Sequence, residues 1–547
     1  MPSARDARKN VKGSLDTSDC RKNRVEAKVE LRKAKKDDFL QKRRQIAVVE
    51  NAPEDVDVCS TTGAAAAAVP KATAADVPAL AEVVRAFVAA NGVQGEAEAL
   101  EAVRSLRQLL SLQVKPPIDA VIDAGLVPHL VMLLQHPTER IVFESAWCLT
   151  NVASGTTAQC QTVVDANAVG PLVALMASES IDVKEQAVWA LGNVAGDCTR
   201  YRDLVLASCG VERLCEMVAH VANAGLMSPL RNATWLLSNL MRGKPAPDRA
   251  LIAPAGPTLR CLLTLDDDEL LQDACWALSY LAEADYHDIV VGSGAIPGLL
   301  QAFNTRKDKV QVPALRTLST LLSGDDEVTQ AVLEAGLLQA LPKALSAPKS
   351  RMRKEACWAV SNIAAGTEPQ MQSLFDMQLM GLVVQRLDVD EFDVKKEAMW
   401  AIANVLHGVK SRPSTASARR VQALVALGAL KPMVALLEVA DTSMVNLVLE
   451  ALSNLLSCGE TLAAHGLAKE GAPNPFLTPF DEAEGVDKLE QLQSHANEEI
   501  YEKAVTILEA HFQEDTDEDQ NLAPQANANA FSFGMQQQPV AAQAFAF

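Results

Sequence analysis

Apolar residues recur three and four positions apart over most of the chain, from about Asp76 to Phe512. Side chains at that spacing share one face of a helix, so these runs predict helices. They are punctuated by glycine-marked turns: IDAGLVPHLVMLL around Gly125, VVGSGAIPGLL around Gly294, VLEAGLLQAL around Gly336 and LVALGALKPMVALL around Gly428. In each, a glycine closes one helix in the left-handed region and a new apolar helix starts after it. The flanks read differently. Residues 1–50 are charged and nearly lack apolar content until Phe39-Leu40. From Cys20 on they contain good helix formers without Gly or Pro, but no continuous apolar face, which predicts an arm that is helical only on a partner. Residues 51–77, with Pro53, Pro70 and the alanine run Ala64–Ala68, form a flexible linker. The helical region is 78–512, and the Gln-, Ala- and Asn-rich tail, 513–547, is expected to be disordered.

Within the helical region one motif returns: a tryptophan, then an asparagine four residues later. It appears at Trp147/Asn151, Trp189/Asn193, Trp235/Asn239, Trp358/Asn362 and Trp400/Asn404. Trp276 is followed by Tyr280, and the period places Arg316 and Thr320 in the gap before Trp358. Consecutive tryptophans fall 41 to 46 residues apart wherever the ladder is unbroken. A helical period of ~40–47 residues is the signature of armadillo and HEAT repeats. The fold predicted is all-α, a right-handed armadillo-repeat solenoid of about ten repeats. The first unit has Arg104 at the tryptophan position, and the ninth has Glu450/Asn454. A lone tryptophan at this spacing is ordinarily a core residue. A buried asparagine in every unit needs partners each time, so the ladder is read as exposed on the concave face.

Charge sharpens this picture. Net charge is −19, but residues 1–45 carry 15 Lys+Arg against 7 Asp+Glu, leaving −27 for the rest. A basic arm on an acidic body suggests that the arm docks on that body and that the body prefers basic partners. The acidity speaks against nucleic acid on the body. The eleven cysteines lie mostly in apolar runs, with no C-x-x-C pair and no histidines at metal spacing. They read as small buried hydrophobes in a reducing compartment, with no metal and no cofactor. Neither a membrane span nor a signal core is evident.

The ladder suggests its own chemistry. Parallel helices stacked ~8–10 Å apart would meet an extended peptide every two to three residues. Each carboxamide can pair with the N–H and C=O of a foreign main chain. Slots between indoles fit Lys or Arg stems, with cation–π attraction of ~0.5–2 kcal/mol. Acids at fixed offsets, Asp197, Asp273, Glu355 and Glu397, would select for cations. The interruption at Tyr280 and Arg316/Thr320 leaves two intact runs, which suit a peptide with two basic clusters.

The segment VELRKAKKDDFLQKRR resembles the importin-β-binding segment of importin-α, the adaptor of nuclear import, and the ladder is similar to that family's groove. The resemblance implies that Arg32, Lys33, Lys35 and Lys36 lie along a helix gripped by importin-β. Lys42, Arg43 and Arg44 would be an internal mimic of a nuclear localisation signal, autoinhibiting the groove. It implies a major signal site of Trp147, Asn151, Gly155, Gln186, Trp189, Asn193, Asp197, Trp235, Asn239 and Asp273. It implies a minor site of Arg316, Glu355, Trp358, Asn362, Glu397, Trp400 and Asn404. The implied partners are importin-β, cargo with basic signals, and an export receptor acting with Ran-GTP. The implied location is the cytoplasm, the nucleus and the nuclear pore. Phe531-Ser-Phe-Gly534 resembles a nucleoporin FG motif. The chain departs from the family at Thr320 for asparagine, Cys160 for threonine, and Glu283-Ala284 for Asp-Gly. No enzyme motif is present. The alternatives are an armadillo scaffold of adhesion or signalling, whose groove would typically be basic, and a nucleic-acid protein working through the arm.

Overall fold

The computed structural model describes residues 43, 72–411, 414–464, 474–512, 525–527 and 530–532. Contacts divide the chain into two compact units, Met1–Leu379 and Met380–Phe547.

In the first unit seven long helices carry the ladder positions: α1 (Glu96–Leu110), α2 (Glu139–Ala153), α3 (Ile181–Asp197), α4 (Met227–Met241), α5 (Asp268–Glu283), α6 (Asp308–Leu321) and α7 (Ser350–Ala364). Each from α2 onward follows two shorter helices, as Ile118–Asp123 and Val127–Leu133 precede α2. Consecutive long helices pack on one another from α1 to α7. Buried leucines such as Leu149, Leu191 and Leu236 fill the layer behind them.

Local chemistry explains where the helices begin and end. Gly125, Gly294, Gly336 and Gly428 all have positive φ, from 65° to 107°, as the turn reading requires. Asp267 caps α5 by accepting from the N–H groups of Glu269 and Leu270. Thr156 and Gln159 form a reciprocal capping box at the helix after α2.

The second unit repeats the design with α8 (Phe392–Ser411), α9 (Thr442–Ala464) and α10 (Glu498–His511), and α9 packs against both others. Ten such long helices occur among the described residues, one for each unit of the sequence period. In the tail, Gln525–Asn527 and Ala530–Ser532 pair as two antiparallel three-residue strands. Among the described residues no single helix is long and apolar enough to cross a membrane, and no cluster of three or more His, Cys, Asp or Glu could hold a metal.

Candidate peptide-binding groove

The centre of the site is Asn193 on α3. Its Oδ1 accepts the main-chain N–H of Arg43 at 2.7 Å, and its Nδ2 donates to the Arg43 carbonyl at 3.0 Å. Trp189, one turn earlier on the same face, donates its indole N–H to that carbonyl at 2.7 Å. The Arg43 guanidinium lies over the Trp235 ring, 4.7 Å from its centroid. It pairs with Asp273 at 2.9 Å and Glu269 at 3.2 Å, both on α5. One residue of the basic arm thus has its backbone held by a ladder asparagine and its side chain held between an indole and two carboxylates. Burial pushes the Asp273 carboxyl up to about 6, against the pull of Arg43.

The asparagines are not exposed as the sequence suggests. Asn151, Asn193 and Asn239 are buried, as is Trp235, while Trp147, Trp189 and Trp358 are half-buried. The reason is a bond that runs backwards along the stack. Asn193 Nδ2 donates to the Thr150 carbonyl, Asn239 Nδ2 to Gly192 and Asn362 Nδ2 to Ser319, each at 2.9 Å. Each acceptor immediately precedes the rung position of the previous repeat. Asn151 Nδ2 donates to Ser111 Oγ on the preceding repeat at 3.0 Å. One amide hydrogen ties repeat to repeat, which offsets the cost of burying the group. At Asn193 the rest of the amide is still available to a peptide backbone.

Gly192 makes room for the slot. A Cβ there would fall 2.3 Å from the Trp235 ring, so only glycine lets the indole lie this close to α3. Asp197 ends α3, and its Oδ1 accepts from the Thr157 hydroxyl at 3.1 Å. Cys160, at the family's threonine position, is fully buried and faces the core instead. Gln186 is buried on α3, and Gly155 sits just past α2.

Two arginines from the body itself occupy indole faces. Arg107 on α1 lies over Trp147 at 4.5 Å and donates from Nε to the buried Glu144 at 2.7 Å. Arg316 on α6 lies 5.8 Å from the Trp358 centroid, paired with Glu283 at 2.9 Å and Glu355 at 3.0 Å. Arg316 and Glu355 are therefore engaged with each other. Tyr280 fills its rung by stacking on Trp276 at 5.8 Å. In the second unit Glu397, Trp400 and Asn404 share one face of α8, all half-buried.

Sequence reasoning passed over Arg107, Glu144, Thr157 and Glu269. Glu144 was within reach, because it precedes Trp147 by three, the same offset as Asp273, Glu355 and Glu397 from their tryptophans. Arg32, Lys33, Lys35, Lys36, Lys42 and Arg44 lie outside the described residues.

Comparison with known proteins follows the same lines. A profile of the Importin beta binding domain matches residues 7–89. The Armadillo/beta-catenin-like repeat matches 115–154, 156–196 and 325–365, and an atypical Arm repeat matches 474–525. The chain is 39% identical to Importin subunit alpha-3 of Arabidopsis thaliana, over 97% of both chains. It is 40% identical to Importin subunit alpha-1b of Oryza sativa subsp. japonica, over 84% of this chain and 85% of that one. A crystal structure of an engineered protein, 28% identical, covers 79% of this chain and 98% of its own with a TM-score of 0.68. Near-full-length identity of this order, with both the arm and the repeats matched, shows that the chain belongs to the importin-α family of armadillo-repeat nuclear import adaptors.

Proposed function

We propose that the face of α2–α5 is the major site for basic nuclear localisation signals, and that Lys42-Arg43-Arg44 occupies it when importin-β is absent. The observation that carries this reading is Arg43 itself, with its main chain on Asn193 and its guanidinium between Trp235 and the Asp273/Glu269 pair. Every contact it makes is one that an arginine of a cargo signal could make. The backbone bonds are indifferent to sequence and hold the peptide extended, while the slot selects the cation. Importin-β, by drawing the arm away through Arg32, Lys33, Lys35 and Lys36, would free the groove for cargo. Release by Ran-GTP binding to importin-β, return through an export receptor and passage through the nuclear pore complete the cycle the family implies, with FG nucleoporins as a further partner class.

Of the minor-site positions that the resemblance implies, Arg316, Glu355, Trp358 and Asn362 are proposed as signal-binding residues of the first unit, and Glu397, Trp400 and Asn404 on α8 as signal-binding residues of the second unit taken by itself. The Arg316–Glu355 pair leaves Glu355 Oε2 buried without a hydrogen bond among the described residues, an acceptor a second cation can use.

The test is titration of a fluorescent Lys/Arg-rich signal peptide against the intact chain and against its K42A/R43A/R44A variant. Tighter binding by the variant supports both groove and autoinhibition. Equal, tight binding keeps the groove and removes the inhibitory role. Absence of binding by either sends the function back to an armadillo scaffold of another kind.

A further inference from the structure

The second unit carries one more rung, without a tryptophan. Glu450 and Asn454 stand four residues apart on α9, as Trp400 and Asn404 do on α8, and the two helices pack together. Glu450 Oε1 lies 4.0 Å from Nδ1 of His407, three residues after Asn404, so Glu450 borders the face of α8 that carries Asn404. Asn454 is 4% exposed, and its Oδ1 is buried with no hydrogen bond among the described residues. A buried acceptor without a donor is rare in a folded protein and calls for a reason. Asn193 supplies one, because the same atom there accepts the main-chain N–H of Arg43. The acid of this rung has also moved. Glu144, Asp273, Glu355 and Glu397 each precede a tryptophan by three. On α9 that position is Leu447, buried in the core, and the acid stands in the indole's own place. Among the described residues the one ion-pair contact of Glu450 is with His407, at a separation beyond hydrogen-bond length. Lys503, which α10 brings to α9 at Asn446, is spent on Glu499 at 2.7 Å.

Resting on the reading of Trp400 and Asn404 as signal-binding residues, we propose that Glu450 and Asn454 take one further lysine or arginine of a basic signal, beyond the residue seated on α8. Asn454 Oδ1 accepts a main-chain N–H of the peptide, and Glu450 pairs with the side-chain cation. Adjacent helices ~8–10 Å apart meet an extended chain every two to three residues, so this cation stands two or three positions outside the cluster. Selection here differs in kind from that of the indole rungs. With no ring face at this position the side chain is held by charge alone, which makes the contact the more sensitive to salt. The second unit thereby reads a longer basic signal than its single tryptophan implies.

The test uses a fluorescent basic-cluster peptide and versions of it extended at either end by a short segment whose outer residue is lysine or alanine. They are titrated against the full chain carrying K42A/R43A/R44A and N193A/D273N, which removes the arm's basic cluster and weakens the first unit's groove. E450Q and N454A are then added singly to that background. Expected is that lysine at one end binds roughly two- to fivefold tighter than alanine there, and that the difference shrinks at high salt. E450Q should abolish the difference while the unextended peptide binds as before. N454A should weaken the alanine-extended peptide as well, because it removes the main-chain contact. Should N454A fail to fold, as urea unfolding would reveal, E450Q at a half-buried position still decides. A lysine preference that survives E450Q, or that is absent at both ends, overturns the inference even where the cluster itself binds. Binding of every peptide to K42A/R43A/R44A but of none once N193A/D273N is added overturns the reading of Trp400 and Asn404, and the inference with it.

Discussion

The amide of Asn193 is shared between the Thr150 carbonyl of the previous repeat and both main-chain groups of Arg43. Asn193→Ala is expected to weaken a basic peptide by about 1–3 kcal/mol, roughly 5- to 160-fold, read by fluorescence anisotropy. Gly192 matters through space alone. Gly192→Ala should push the Trp235 ring off α3 and weaken peptides with arginine in that slot, with a blunted change in tryptophan fluorescence on binding. Asp273 adds a pH dependence. Its carboxyl stands at about 6 with Arg43 in place, and the cation lowers that value, so the vacant slot has a higher one. Affinity for a cation is then full above the vacant-slot value and declines as pH falls toward about 6. A titration from about pH 7.5 down to about pH 5.5 should show this decline, and Asp273→Asn should flatten it.

Whole helices behave as units because the offsets repeat. On α2 and α7 the acid three residues before the tryptophan holds an arginine from the preceding repeat, Arg107 by Glu144 and Arg316 by Glu355. On α5 the equivalent Asp273 holds Arg43 of the arm. Arg107 therefore occupies an indole face as a bound signal would. Arg107→Ala should open one further slot, so that a signal peptide with an additional basic residue at its end gains affinity over the shorter one, where the unaltered protein shows little difference. Arg316 is buried between two acids, and its removal strands both. Arg316→Met should lower stability by about 3 kcal/mol in urea unfolding, with partial recovery when Glu283→Gln and Glu355→Gln are added. The helices and their period were legible because apolar spacing, turn glycines and the Trp/Asn motif all point the same way. The burial of the asparagines was not. It depends on a carbonyl some forty residues away, Thr150 for Asn193, which no local pattern reveals. Nor was the role of Thr157, since its partner Asp197 belongs to another helix.

Across the molecule, burial sorts the thiols. Among the described cysteines Cys261 is exposed, Cys198 and Cys215 are intermediate, and Cys148, Cys160, Cys209, Cys275, Cys357 and Cys458 are buried. Burial raises the Cys209 and Cys458 thiols to about 11 and those of Cys148 and Cys275 further. Titration of the native protein with a thiol reagent should label Cys261 before the other described cysteines and reach the buried six only after denaturation. The long-range consequence of the structure lies in the bond each rung sends backwards. Because Asn193 and Asn239 fasten their own repeat to the one before, the distance between rungs is fixed by the same groups that meet a peptide. The groove is a ruler whose marks are also its rivets. A change in curvature must pass through those amides, so a ligand seated on them should stiffen the array, and bending the array should alter its grip on the ligand.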